Sequence, residues 1–157
     1  QLALKENDEF ELSLYEINIC FDCLGNQIEA IAFYTQFLNS NPYSETAWFN
    51  LGAMYAKIDD YKNAVSAYEY ALAINPYFSS ALFNKANALA SDNRYIEAIE
   101  NYKDTFEHEA PNYITFCYIG ECYERLQMQG IRGRTSARPR AGRDNARDGT
   151  RGGARGV

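Results

Sequence analysis

The residues of this chain that could do chemistry are few. Four are cysteines: Cys20 and Cys23, spaced C-x-x-C, and Cys117 and Cys122 about 95 residues later. Two such pairs read either as a zinc or redox centre or as small apolar residues within helices. The single histidine, His108, has no obvious partner. No phosphate loop, no G-x-S-x-G and no H-E-x-x-H occurs, so hydrolytic triads and histidine metal sites are excluded on inventory alone. The C-x-x-C falls inside an apolar-periodic stretch, away from any helix N-terminus that would activate a thiol. Buried, inert cysteines are therefore expected, with no cofactor and no metal. Acidic pairs such as Asp59–Asp60 fall in polar breaks, where solvation accounts for them.

Charge divides the 157 residues in two. Up to Gln127 there are seven Lys or Arg against nineteen Asp or Glu, a net charge of −12; from Met128 onward there are eight Arg against two Asp, a net charge of +6. An acidic body argues against nucleic-acid binding, which needs basic surface to neutralise phosphates. No run of 18 apolar residues suggests a membrane-spanning helix. Residues 128–157 hold seven Gly and no Tyr, Phe or Lys. That switch reads as foreign or out-of-frame coding sequence, expected to be disordered unless the acidic body holds it. The sharper alternative is an RNA-binding arginine–glycine tail, although it lacks aromatics for stacking. Four cysteines with no plausible disulfide framework lean towards a reducing, cytoplasmic setting.

What organises the body is a period. Stepping by 34 from Trp48 gives Leu14, Leu82 and Phe116; Gly52 steps to Asn18, Ala86 and Gly120; Tyr55 steps to Phe21, Leu89 and Tyr123. Ala30, Ala64 and Ala98 register, as do Tyr34, Tyr68 and Tyr102. Each unit holds two apolar-periodic stretches separated by a polar break at Gly25–Asn26, Asp59–Asp60 or Ser91 to Asn93, and ends near Pro42, Pro76 or Pro111. This is helix–turn–helix repeated, with units at 11–44, 45–78, 79–112 and a partial 113–127. A glycine inside a helix costs roughly 1 kcal/mol. Gly52 is expected to repay it by letting the two helices of its unit approach closely. Residues 1–10 read as the end of a preceding helix. The apolar, uncapped last unit suggests a piece of a longer array.

The stretch WFNLGAMYAKIDDYKNAVSAYEYALAINP, residues 48–76, resembles the tetratricopeptide repeat: W-x2-L-G-x2-Y, then alanine, an aromatic and proline, at a 34-residue period. Departures are Asn18 for a small residue, Lys85 for an apolar one, and Ala110 where proline is expected. The resemblance implies an all-α, right-handed superhelical solenoid whose first helices line a concave peptide-binding groove. Carried onto this chain, the groove residues are Tyr15, Phe49, Asn50, Lys57, Phe83, Asn84, Asn87, Tyr118, Glu121 and Arg125. Asn50 and Asn84 share one column, where an amide can both donate to and accept from a peptide backbone. The lysines of the family's carboxylate clamp are missing, since Tyr15, Phe49 and Ser80 stand in their columns. A protein or peptide partner that is neutral to basic and partly apolar is expected. Alternatives are a substrate-recruiting arm of a larger enzyme, or self-assembly through the uncapped ends.

Overall fold

The computed structural model describes residues 2–108, 110 and 112–136. Seven helices follow one another: α1 (Leu2–Leu24), α2 (Gln27–Ser40), α3 (Glu45–Lys57), α4 (Tyr61–Ile74), α5 (Ser79–Ser91), α6 (Tyr95–His108) and α7 (Tyr113–Ser136). No strand occurs among the described residues. The starts of α2, α4 and α6 lie at 27, 61 and 95, and those of α3, α5 and α7 at 45, 79 and 113, so both series advance by 34. Each helix packs on its neighbours in sequence, and α1 touches α3 and α3 touches α5 side by side. The fold is an all-α solenoid.

Local chemistry makes the hairpins. The residue that reverses the chain inside each unit is Gly25, Asp59 or Asn93, with φ of 68°, 61° and 64°. Glycine, aspartate and asparagine are the types that best tolerate this left-handed region. The next residue's amide then bonds back across the turn: Asn26 N to Phe21 O at 3.2 Å, Asp60 N to Tyr55 O at 3.0 Å, and Arg94 N to Leu89 O at 2.9 Å. These are three copies of one Schellman closure. At the N-termini, Ser44 Oγ accepts from Ala47 N at 3.2 Å and Asn112 Oδ1 from Thr115 N at 3.0 Å.

The core runs along the stack as two apolar clusters, one over α1 to α4 and one over α3 to α7. Its repeating element is a buried tyrosine four residues after a buried alanine: Ala30 and Tyr34, Ala64 and Tyr68, Ala98 and Tyr102. Gly52 has the role expected of it. A Cβ placed there would sit 2.7 Å from Tyr68 Cε1 and 2.8 Å from Cδ1. The tyrosine ring occupies the space that any side chain at 52 would need. Lys85, in an otherwise apolar column, keeps its stem largely covered and brings Nζ to 3.1 Å from Glu69 Oε1.

Three expectations change. α1 is one unbroken helix from Leu2, so residues 2–10 continue into the first unit's helix instead of forming a separate one; no Pro or Gly before Gly25 could end it. α7 runs on to Ser136, nine residues past Gln127, because Gly130 and Gly133 weaken a helix without stopping it. The remainder of the Arg/Gly-rich segment, 137–157, lies outside the described residues. Finally, Cys20, Cys23 and Cys117 are exposed and only Cys122 is buried. The first three stand on helix faces that no neighbouring helix covers.

Candidate peptide groove between α5 and α7

The first helices of successive units, α1, α3, α5 and α7, carry the ten residues assigned to the groove. The structure divides them into two groups.

Of those in the first two units, Phe49, Asn50 and Lys57 are used up by the fold. Asn50 is wholly buried. Its Nδ2 donates to Leu14 O at 3.1 Å and to Tyr34 Oη at 3.3 Å, while Tyr34 Oη itself donates to Leu14 O at 3.2 Å. Asn50 thus ties α3 to the hairpin before it and is not available to a peptide, which corrects its assignment. Its Oδ1 is buried without a partner among the described residues. Phe49 is half-buried against Phe78, at 4.9 Å between ring centres, and Tyr68, at 5.8 Å. Lys57 is engaged by Asp22 across the unit boundary. Tyr15 remains on the surface at 39% exposure, with no cavity among the described ones beside it.

Those of the last two units come together. A cavity of about 480 Å³ is lined by Asn87, Tyr102, Tyr118, Glu121 and Arg125, among others. A second, of about 360 Å³, is lined by Ser80, Phe83, Asn84, Asn112, Thr115 and again Tyr118. Tyr118 is the wall they share. Its ring stacks on Tyr102 at 5.7 Å and 11°, and Phe83 meets both rings edge-on, also at 5.7 Å. Such pairs hold one another rigid and present apolar area with a polar rim.

Electrostatics sharpen this cluster. Burial, then the nearby Cys122, Tyr118 and Glu121, push the Tyr102 hydroxyl well above its usual range. It stays protonated and donates to Asn87 Oδ1 at 2.5 Å. That bond fixes the Asn87 amide with its oxygen inward. Burial, then Glu121, likewise raise the Cys122 thiol. Asn84 is half-buried, and no hydrogen bond joins its side chain to another described residue. Arg125 is exposed and makes no ion pair among the described residues. The two groups flank the ring cluster with hydrogen-bonding capacity unspent.

Six assigned residues therefore share one site: Phe83, Asn84, Asn87, Tyr118, Glu121 and Arg125. Sequence reasoning missed Tyr102, Asn112 and Thr115 as lining residues. Tyr102 lies in the column of core tyrosines, whose buried register reads as packing alone; the capping position of Asn112 was the one signal that could have placed that residue. Among the described residues, no group of three His, Cys, Asp or Glu could hold a metal ion, and no helix is long and apolar enough to cross a membrane.

Comparison with known proteins agrees with the repeat geometry. Tetratricopeptide-repeat family models match residues 46–78 and 67–100. Residues 46–100 are tetratricopeptide repeats. The first TPR domain of human RPAP3 superposes with a TM-score of 0.70 at 22% identity, covering 77% of this chain and 95% of that domain. The first TPR of Spaghetti (RPAP3), bound to the HSP90 peptide SRMEEVD, gives 0.67 at 23%, covering 74% and 95%. The protein MamA gives 0.67 at 23%, covering 85% and 71%. At these identities the likeness speaks for the fold. No curated protein matches the sequence. The tetratricopeptide repeats of this chain thus place their spare polar groups at one end of the array, between α5 and α7.

Proposed function

We propose that this tetratricopeptide-repeat chain is a non-catalytic interaction scaffold that holds an extended peptide segment along α5 and α7. One observation carries the proposal: Asn84 and Arg125, without side-chain partners among the described residues, flank the rigid Phe83–Tyr102–Tyr118 cluster and two adjoining cavities. Asn84 offers a donor and an acceptor to a peptide backbone, and Arg125 donates to a carbonyl. The rings take apolar side chains. The first TPR of Spaghetti (RPAP3), bound to the HSP90 peptide SRMEEVD, supports a peptide as the kind of partner. This chain differs in the charge it welcomes. Lys57 is occupied by Asp22, Glu121 lines the cavity, and the body carries −12. A neutral to basic, partly apolar segment fits best.

The test is fluorescence-anisotropy titration of the whole chain with extended peptides matched in apolar content, one set neutral to basic, the other acidic and including SRMEEVD. The neutral-to-basic set should bind more tightly. Asn84→Ala should weaken it roughly fivefold, the value of one hydrogen bond of about 1 kcal/mol. Preference for the acidic set, or unchanged affinity in both Asn84→Ala and Phe83→Ala, would overturn the proposal.

A further inference from the structure

We propose that the two cavities between α5 and α7 sort the side chains of one bound segment. A lysine or arginine enters the larger cavity, an apolar side chain enters the smaller, and the two stand two positions apart in the segment. The inference rests on the peptide reading above and gives it a sequence preference.

The larger cavity, about 480 Å³, is rich in acceptors. Two tyrosines in its lining have spent their protons: Tyr102 Oη donates to Asn87 Oδ1 at 2.5 Å, and Tyr95 Oη to Asn93 Oδ1 at 2.8 Å. Each hydroxyl oxygen then has only acceptor capacity left. Glu121 adds a carboxylate that makes no ion pair or hydrogen bond among the described residues. Arg125, one turn further along α7, is the one cation among the described lining residues and does not pair with it. Lysine and arginine heads carry donors and no acceptor, so they complement such a lining. The rings of Tyr95, Tyr102 and Tyr118 suit both their charge and their apolar stems.

The smaller cavity, about 360 Å³, has no charged group in its lining. Phe83, Ile114 and the Tyr118 ring supply apolar wall. A charged head there would give up water without gaining a counter-charge, a cost that an apolar side chain avoids. Spacing follows from the wall the two cavities share, which is Tyr118. One ring between two occupants sets them about 7 Å apart, two carbon contacts of about 3.5–4.0 Å each. In an extended segment, residues i and i+2 point to the same side and lie about 6.6 Å apart, at about 3.3 Å per residue. Adjacent residues point to opposite sides, and a gap of four overshoots at about 13 Å.

The probes are fluorescein-labelled peptides on a glycine–serine frame, GSGKSLGSG and its reverse GSGLSKGSG, titrated into the whole chain by anisotropy. The tighter of the two should outbind its versions with lysine and leucine adjacent or four apart. Replacing its lysine by norleucine should weaken binding about fivefold, and replacing its leucine by serine should weaken it by a similar factor. In the Glu121→Gln chain the lysine and norleucine peptides should bind alike. Glu121 is exposed, so the helical circular dichroism and melting of that variant should match the parent. Three results would each overturn the proposal: equal binding of lysine and norleucine peptides to the parent chain, a lysine preference that survives in Glu121→Gln, or no dependence on spacing. If the lysine and norleucine peptides bind equally and both weaken in Phe83→Ala, the groove stands and the sorting fails. If no peptide binds, both fail.

Discussion

Gly52 and Gly120 stand 68 residues apart at one column of the repeat, yet alanine should act on them with opposite signs. At Gly52 the new methyl would lie 2.7, 2.8 and 3.0 Å from three atoms of the Tyr68 ring. Comfortable carbon contacts are about 3.5–4.0 Å. The ring is 2% exposed and leans on Phe49 at 5.8 Å, so it has nowhere to swing. Either α3 and α4 separate by several tenths of an ångström or the ring leaves its rotamer. Overpacking of this kind costs about 1–3 kcal/mol, and three close atoms put it near the upper end. Removing glycine from a helix interior returns about 1 kcal/mol. The net expectation for Gly52→Ala is a loss of about 2 kcal/mol. At Gly120 nothing lies within 4 Å, so only the propensity gain remains, about 1 kcal/mol in favour of folding. Urea unfolding of both variants, followed by circular dichroism and compared at the midpoint, measures the difference of about 3 kcal/mol. If Gly52→Ala is as stable as the parent, or if both shift the same way, close approach of α3 and α4 is not what the glycine is for.

Two further expectations follow from the buried polar groups. Asn50→Ala should lower stability by about 1–2 kcal/mol and leave peptide affinity alone, the reverse of Asn84→Ala; its bonds to Leu14 and Tyr34 are lost, but Leu14 O keeps the Tyr34 hydroxyl and an unpartnered oxygen goes with the amide. Denaturation and titration of the two variants side by side check this, and equal effects of both on affinity would contradict it. Alkaline pH should unfold the array. Burial pushes Tyr34 from 10.0 up to about 12, and Tyr68 and Tyr102 higher still. The folded chain therefore holds protons that the unfolded chain releases from about pH 10, so stability is intact below that pH and falls above it, by up to about 1.4 kcal/mol per pH unit for each group. Tyrosinate absorbance and helical circular dichroism should change together for the buried fraction; a single transition of all tyrosines near 10 with helix retained would count against it.

What the sequence determined by itself was everything set within a unit or repeated between units. Gly25, Asp59 and Asn93 are residue types that turn left-handed, and they turn there. Ala64, Tyr68 and Gly52 fit one another at helical spacing, and they meet as that spacing requires. Helix starts at a constant step of 34 place these contacts in register, because a hairpin's geometry depends on a handful of local choices made again in each copy. Only the tertiary structure decided which equal residues differ. Asn50 and Asn84 occupy one column with one chemistry. Asn50 is consumed because the Leu14 carbonyl and the Tyr34 hydroxyl of the preceding hairpin lie within its reach, and Asn84 finds no such pair. Gly52 and Gly120 diverge for the same reason, one beneath a neighbour's ring and one open. A repeat writes the same position several times, but burial at that position belongs to whatever packs on it from the next helix, and no single unit carries that.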